Sequence, residues 1–202
     1  MTALVCVVEG DGDVAALPEL LRRIVAGIIV ASPEVEYPDI PYPIRIRRDS
    51  FLADGGHAYR SRYLSLARGR AGDEGCVLVL IDADEDCPAN LANHLLPELT
   101  ATCAPTRIAF VLAKREFETW FLAAAESIGG RRSLQNNLVA PVDPENEVAN
   151  AKTWLRDRMP RGSTYSETID QPALAGLFDW QVARERAPSL DKLCREVERL
   201  VG

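Results

Sequence analysis

Histidine is scarce in this chain, and its cysteines lack the spacing of a metal site. The two histidines, His57 and His94, stand far apart, which excludes a site built on clustered imidazole ligands. The five cysteines are odd in number and widely spaced, and none forms a C-x-x-C pair. Free, mostly buried thiols in a reducing compartment are the simplest interpretation, so neither a zinc role nor a disulfide framework is expected.

The chain also lacks a long apolar run. No stretch of it approaches the roughly 18 apolar residues that a membrane-spanning helix needs. The N-terminal segment MTALVCVVEGDGDV is a short apolar run that ends in acid and carries no basic region, so it predicts a buried strand rather than a signal peptide. We therefore expect a soluble, cytoplasmic protein with no membrane partner.

Basic residues are fewer than acidic ones, and lysine is rare among them. The net charge is −7, and 20 of the 23 basic residues are arginine. A surface that is acidic overall does not indicate nucleic-acid binding. Nine of the arginines, however, fall between Arg22 and Arg70. Two interpretations of them stay open: a solvated face that reflects codon usage, or a face that contacts phosphates.

Short apolar runs alternate with amphipathic stretches through the first 127 residues. This alternation is typical of repeated βα units around a mainly parallel sheet. Strands are predicted at 4–8, 44–47, 77–81 and 108–112. The third run is apolar at every position, as a strand covered on both faces should be. At 202 residues the chain fits one α/β domain, a three-layer, Rossmann-like fold with about four parallel strands.

Helices complete the predicted architecture. Within the α/β domain, which we place at 1–130, they are predicted at 14–31, 57–70, 88–102 and 114–128. Beyond Gly130 no strand-like run remains, and helices are predicted at 145–159, 172–178 and 189–200. The last of these has one apolar face that must be buried. We therefore interpret 131–202 as a helical extension packed on the α/β domain.

Acidic residues follow the predicted strands at the points where they end. Glu9 follows the first strand, Asp82 and Asp84 follow the third, and Lys114, Glu116 and Glu118 follow the fourth. Loops and helix N-termini converge at the carboxyl ends of parallel strands, so we expect these side chains to meet there. Neighbouring carboxylates repel each other unless a cation lies among them. A hard divalent cation, Mg²⁺ or Mn²⁺, is the ion that such carboxylates bind best.

A metal-binding role for Asp13 has a simpler alternative, and a shared role for Asp82 and Asp84 depends on the backbone geometry. Asp13 directly precedes the helix predicted at 14–31, and acidic residues are favoured as N-caps and in first turns without any role in binding. Asp82 and Asp84 form a D-x-D, whose side chains project to the same side if the segment is extended. We expect both of them to reach a shared metal.

The combination of Glu9-Gly10 after the first strand and Asp82-Ala83-Asp84 after a later one resembles the Toprim fold. That fold occurs in topoisomerases, bacterial primases and nucleases of the overcoming-lysogenization-defect type. Four stretches, EGDGDVAALPELLRRI, LIDADEDCP, AKREFETWFLA and YSETIDQPALAGLFDW, are similar to a bacterial Toprim-like group, domain of unknown function family 4276. The resemblance covers most of the chain.

The resemblance implies a site and an activity. It implies that Glu9 is a metal ligand or general acid/base and that Asp82 and Asp84 hold Mg²⁺. The nuclease branch adds a second acid, which maps onto Asp13, and a catalytic lysine, which maps onto Lys114. Glu116 and Glu118 match further acids of the group, without an implied role.

The activity implied is a metal-dependent phosphodiester hydrolase acting on nucleic acid, in phage defence with a separate ATPase. The alternative is a non-catalytic module that binds metal or nucleic acid and docks an ATPase. A dinucleotide site is a weaker alternative, since the G-x-G-x-x-A-like run at Gly10 carries two aspartates where a pyrophosphate would bind. A phospho-acceptor receiver domain would need a fifth strand with its lysine.

Overall fold

The structure, a computed structural model that describes residues 2–202, contains one parallel sheet. Its strands are β1 (Leu4–Val8), β2 (Ile44–Arg45), β3 (Cys76–Asp82) and β4 (Arg107–Ala113). They lie in the order β2-β1-β3-β4 and pair in parallel throughout. The predicted adjacency of the first and third strands is confirmed, with Leu4 opposite Cys76 and Val8 opposite Leu80.

Helices cover both faces of the sheet. They are α1 (Asp11–Ala31), α2 (Arg48–Leu52), α3 (His57–Ala71), α4 (Pro88–Cys103), α5 (Thr119–Ala123), α6 (Ala125–Ile128), α7 (Pro144–Glu147), α8 (Ala151–Arg156), α9 (Asp170–Ala175), α10 (Trp180–Arg186) and α11 (Pro188–Val201). Side chains alternate along each strand, so Val5 and Val7 pack with α2, α3 and α4, whereas Leu4 and Cys6 pack with α1 and the C-terminal helices. The predicted three-layer α/β fold is confirmed.

The C-terminal helices pack directly on this framework. Helix α11 contacts β4 and α1, and α9 contacts α1. The apolar face of α11, formed by Leu190, Leu193, Val197 and Leu200, is fully buried, as expected from its spacing. The assignment of 1–130 and 131–202 as separate units stays a prediction. Among residues 2–202 no helix is long and apolar enough to cross a membrane.

Helix bounds differ from the predictions where polar contacts intervene. The chain after β4 does not become helical until Thr119, and the helix is interrupted at Ala124. The helix predicted at 145–159 is two short helices, because Asp143 and Asn150 each accept a backbone hydrogen bond at the start of a new one. Strand β2 has two residues rather than four.

Candidate functional site

Four carboxylates from different elements meet at the carboxyl ends of β1 and β3. Glu9 follows β1, Asp13 lies in the first turn of α1, Asp82 is the last residue of β3, and Glu118 directly precedes α5. The sheet order makes this possible, since β1 and β3 are neighbours and end at the same edge. Burial raises the pKa of each of these carboxyl groups, and the charge of at least one other member of the cluster adds to the effect for Glu9, Asp82 and Glu118.

Glu9 is the carboxylate with an unsatisfied oxygen. Burial raises its pKa to about 7, the charges of Asp13 and Asp84 act in the same direction, and the charge of Arg48 and a backbone hydrogen bond from Asp82 oppose them. Its Oε2 atom is buried, and no hydrogen-bond partner for it is found among residues 2–202. A buried acceptor without a donor is costly, so this oxygen is the position in the cluster where a proton or a cation would be most favourable.

Asp82 lies at the centre of the cluster. Its side chain is buried, and its Oδ1 atom accepts a hydrogen bond of 2.9 Å from the backbone N–H of Phe117. Burial raises its pKa well above the ordinary value, and the charges of Asp13, Glu118 and Glu9 add to the effect. The bond to Phe117 also fixes the segment after β4, which explains why that segment is not helical.

Asp13 both stabilises the start of α1 and belongs to the acidic cluster. Its Oδ2 accepts from the backbone N–H of Gly10 at 3.0 Å, which stabilises the start of α1, and its Oδ1 accepts from Gln171 Nε2 at 2.7 Å. Burial raises its pKa, while these two hydrogen bonds act in the opposite direction. Asp13 is therefore part of the cluster, with both oxygens already in contact with protein donors.

Asp84 is not on an extended segment. Strand β3 ends at Asp82, and Asp84 has a φ of 49°, in the left-handed region. Its carboxylate lies 3.2 Å from Arg48 and more than half of its side chain is exposed. The D-x-D thus turns after its first residue, so the premise of two aspartates projecting alike from one strand does not hold. Asp84 remains near enough to influence the charge of Glu9.

Arg48 holds the loop that carries Asp84. Its guanidinium donates to the backbone oxygens of Asp82 and Ala83, both at 3.0 Å, and to Asp86 Oδ2 at 2.7 Å. Only 19% of its side chain is exposed. This arginine is therefore committed to positioning the loop, whereas the neighbouring side chain of Arg47 is exposed to solvent.

Lys114 lies at the rim of the site, one residue beyond β4. Its Nζ atom is 3.2 Å from the backbone oxygen of Asp86 and 3.5 Å from that of Asp84. Its backbone N–H donates to Ser189 Oγ at 3.2 Å. The ammonium group is thus next to the acidic loop and borders a cavity of about 410 Å³.

Glu116 and Glu118 differ in role although they are two residues apart. Glu116 Oε1 accepts from the backbone N–H groups of Ala151 and Lys152, which caps α8. Glu118 is buried and accepts a 3.1 Å hydrogen bond from the Tyr165 hydroxyl. Burial raises its pKa to about 8, against the opposing charge of Lys152.

A divalent cation suits the chemistry of Glu9, Asp82 and Asp84. Within residues 2–202 no three acidic, histidine or cysteine side chains already surround a common point as metal ligands would. Mg²⁺ does not need such a cage, because it keeps several waters and binds through one or two carboxylates plus substrate phosphates. The unpartnered Glu9 oxygen and the crowded carboxylates fit this kind of open site.

The comparisons with known proteins place the chain in one family. The profile of a family described as "Domain of unknown function (DUF4276)" matches residues 8–198. The chain belongs to the DUF4276 family. No curated protein matches, and no solved structure matches. The resemblance to this family is confirmed, whereas the relationship to Toprim proteins stays a prediction.

The DUF4276 match includes three site residues that the sequence analysis missed. Lys152, from α8, lies 3.3 Å from Glu116 Oε2 and 3.9 Å from Glu118 Oε2. Tyr165 and Gln171 donate to Glu118 and Asp13. All three come from 131–202, outside the strand-end pattern. Two signals pointed to them: Lys152 is one of only three lysines, and Tyr165 and Gln171 fall in the family-like stretch YSETIDQP.

Proposed function

We propose that this DUF4276 chain is a Mg²⁺- or Mn²⁺-dependent phosphodiester hydrolase, a Toprim-type nuclease acting on nucleic acid. The observation that carries the proposal is the Glu9 carboxylate, which has a buried, unpartnered oxygen and a pKa raised to about 7 by burial. A carboxylate that titrates near neutral pH suits general acid/base catalysis. It stands beside Asp82 and Asp84, whose oxygens would hold the ion.

The residues of the chain divide the work of hydrolysis. Glu9 accepts a proton from the attacking water at its unpartnered oxygen as the water oxygen bonds to phosphorus. The bond from phosphorus to the leaving oxygen breaks, and that oxygen takes a proton from solvent water. Lys114, at the rim, offers an ammonium group to a substrate phosphate, and Arg48 keeps the 82–86 loop in place. The metal, when bound, supplies positive charge to the phosphate oxygens. A separate ATPase is the proposed partner, and phage defence the proposed setting, on the resemblance to the nuclease branch.

The test is cleavage by wild type against Glu9→Gln from parallel purifications, with single- and double-stranded DNA and with RNA in Mg²⁺ or Mn²⁺. Glu9→Gln keeps the size of the side chain but removes its proton-accepting group and its charge, so we expect loss of cleavage. Lys114→Ala should weaken cleavage. Equal residual cleavage by wild type and Glu9→Gln would mean contamination and would contradict the proposal.

Metal binding is measured separately by thermal stability. Mg²⁺ or Mn²⁺ at millimolar concentration should raise the wild-type Tm by mass action. Asp82→Asn should abolish this gain while the metal-free protein keeps its fold, because one carboxylate fewer relieves repulsion. A wild-type Tm that does not respond to either ion would contradict a metal site here.

A second candidate is a non-catalytic module that binds metal or nucleic acid and docks an ATPase. It is favoured by the contacts of three acids, since both oxygens of Asp13 and oxygens of Glu116 and Glu118 already accept bonds from protein donors. Metal-dependent binding of nucleic acid without cleavage, with or without an ATPase, would support this module instead.

A further inference from the structure

The carboxylates at the sheet edge fall into two groups by their contact with Lys152. The ammonium group of Lys152 lies 3.1 Å from Glu167, 3.3 Å from Glu116 and 3.9 Å from Glu118. Glu9, Asp82 and Asp84 form no ion pair with it in the part of the chain that the structure describes. Lys152 is therefore the cation of one half of the acidic site. In the other half Arg48 contacts Asp84 at 3.2 Å, but its guanidinium also holds the backbone oxygens of Asp82 and Ala83.

We propose that Lys152 is a built-in second cation, so that the site takes one divalent ion, at Asp82 and Asp84 beside Glu9, and not two. Two-metal sites use a pair of ions about 4 Å apart to neutralise the attacking and leaving oxygens. In this assignment the Lys152 ammonium takes the place of one of them. This inference rests on the proposed function, which it makes more specific.

The position of Lys152 is fixed by its own backbone. Glu116 accepts the Lys152 N–H through Oε1 at 3.2 Å and contacts the Lys152 ammonium through Oε2. Asn150 caps the same helix by accepting from Thr153. Because one carboxylate contacts both ends of the lysine, little conformational freedom remains to be lost when the ammonium takes its place.

Both oxygens of Glu118 already contact protein groups, which leaves neither free for a second ion. Glu118 Oε1 accepts from Tyr165, and Glu118 Oε2 faces Lys152. A divalent ion placed here would have to displace a hydrogen bond and stand beside an ammonium group, and like charges at short range repel strongly where water is excluded. The Glu9 oxygen, by contrast, has no protein donor among residues 2–202.

Counting bound Mn²⁺ on the full chain tests the proposal, by the loss of the free-ion electron paramagnetic resonance signal on titration. We expect one ion in wild type, none in Asp82→Asn, and two in Lys152→Met, with the second ion lost again in Lys152→Met combined with Glu118→Gln. Lys152→Arg keeps the charge and should bind one. Lys192→Met removes an exposed lysine paired with Glu196 on α11 and, as the matched control, should also bind one.

Several outcomes would overturn the proposal. Two ions in wild type would refute it while leaving the metal site of the proposed function intact, whereas no ion in wild type would refute that function as well. A folded Lys152→Met that binds a single ion would show that the lysine is a structural ion pair only. Circular dichroism checks folding, and Lys152→Gln, which retains a donor to Glu118, replaces Lys152→Met if that variant does not fold.

Discussion

Glu118→Gln should change how the stability of the protein depends on pH. The wild-type carboxyl is buried and its pKa is raised from the ordinary 4.5 to about 8, chiefly by burial. The folded chain then holds this proton more tightly than the unfolded chain does, so the stability that this group contributes is fully present below about pH 4.5. It is lost as pH rises through about 8.

The size of this effect follows from the shift. Each pKa unit corresponds to about 1.4 kcal/mol, so a shift from 4.5 to about 8 gives an upper bound of roughly 5 kcal/mol. Glu118 titrates together with Asp82 and Asp13, so the loss is shared by the cluster. For a chain of this length about 1 kcal/mol moves Tm by roughly 2–4 °C, so the wild-type Tm should fall by on the order of 10 °C.

Thermal melts with a chelator present, at several values between about pH 5.5 and pH 9, measure this loss. Wild type and Glu118→Gln should have similar Tm values at the acid end, where the wild-type carboxyl is neutral. The variant should be the more stable at the alkaline end. Glu19→Gln makes the same chemical change on the exposed surface of α1 and should run parallel to wild type. A difference between wild type and Glu118→Gln that is constant with pH would refute the reasoning.

Three further predictions concern residues around the site. Arg48→Lys keeps the charge but loses the planar guanidinium that holds two backbone oxygens and one side-chain oxygen. Urea unfolding should show a free energy of unfolding lower by about 1–3 kcal/mol, and an unchanged midpoint would contradict this positioning role. Gly12→Ala puts a Cβ 1.9 Å from an oxygen of Gln171 and should cost about 1–3 kcal/mol, whereas Gly69→Ala, in open space on α3, should stabilise by up to about 1 kcal/mol. Ser189→Ala removes the hydroxyl that accepts a 2.8 Å hydrogen bond from the buried Trp120 indole N–H. It should lower stability by about 1–3 kcal/mol and shift the tryptophan fluorescence; equal spectra would count against that bond.

The sheet could be predicted because its strands are continuous apolar runs. A short continuous apolar run such as Val77–Leu80 indicates a strand buried on both faces, and the acid at the end of each run marks where the strand stops. The observed strands β3 and β4 extend the predictions by one residue at each end. Fold class, strand adjacency and the meeting of Glu9 with Asp82 therefore follow from local pattern together with one topological rule.

The rest of the site depends on long-range contacts that no local pattern encodes. Lys152 reaches Glu116 across 36 positions of chain, and Gln171 reaches Asp13 across 158. Helical periodicity predicted one helix at 114–128, but Asp82 holds the Phe117 N–H and delays its start. The Asp84 turn was missed because D-x-D has the same letters in a strand and in a turn. Helix α10 did have a signal, an N-cap at Asp179, which accepts from the backbone of Gln181 and Val182.

The contacts of α8 and α9 with the acidic cluster determine what a shortened chain would be. A fragment ending at Gly130 would keep Glu9, Asp82 and Glu118 but lose the ammonium of Lys152 and the donors of Tyr165 and Gln171. It would also uncover the face of α1 that α9 and α11 bury. Such a fragment would combine several repelling carboxylates with a newly exposed apolar surface elsewhere on the molecule. Its aggregation or inactivity would therefore say nothing about the chemistry of the intact chain.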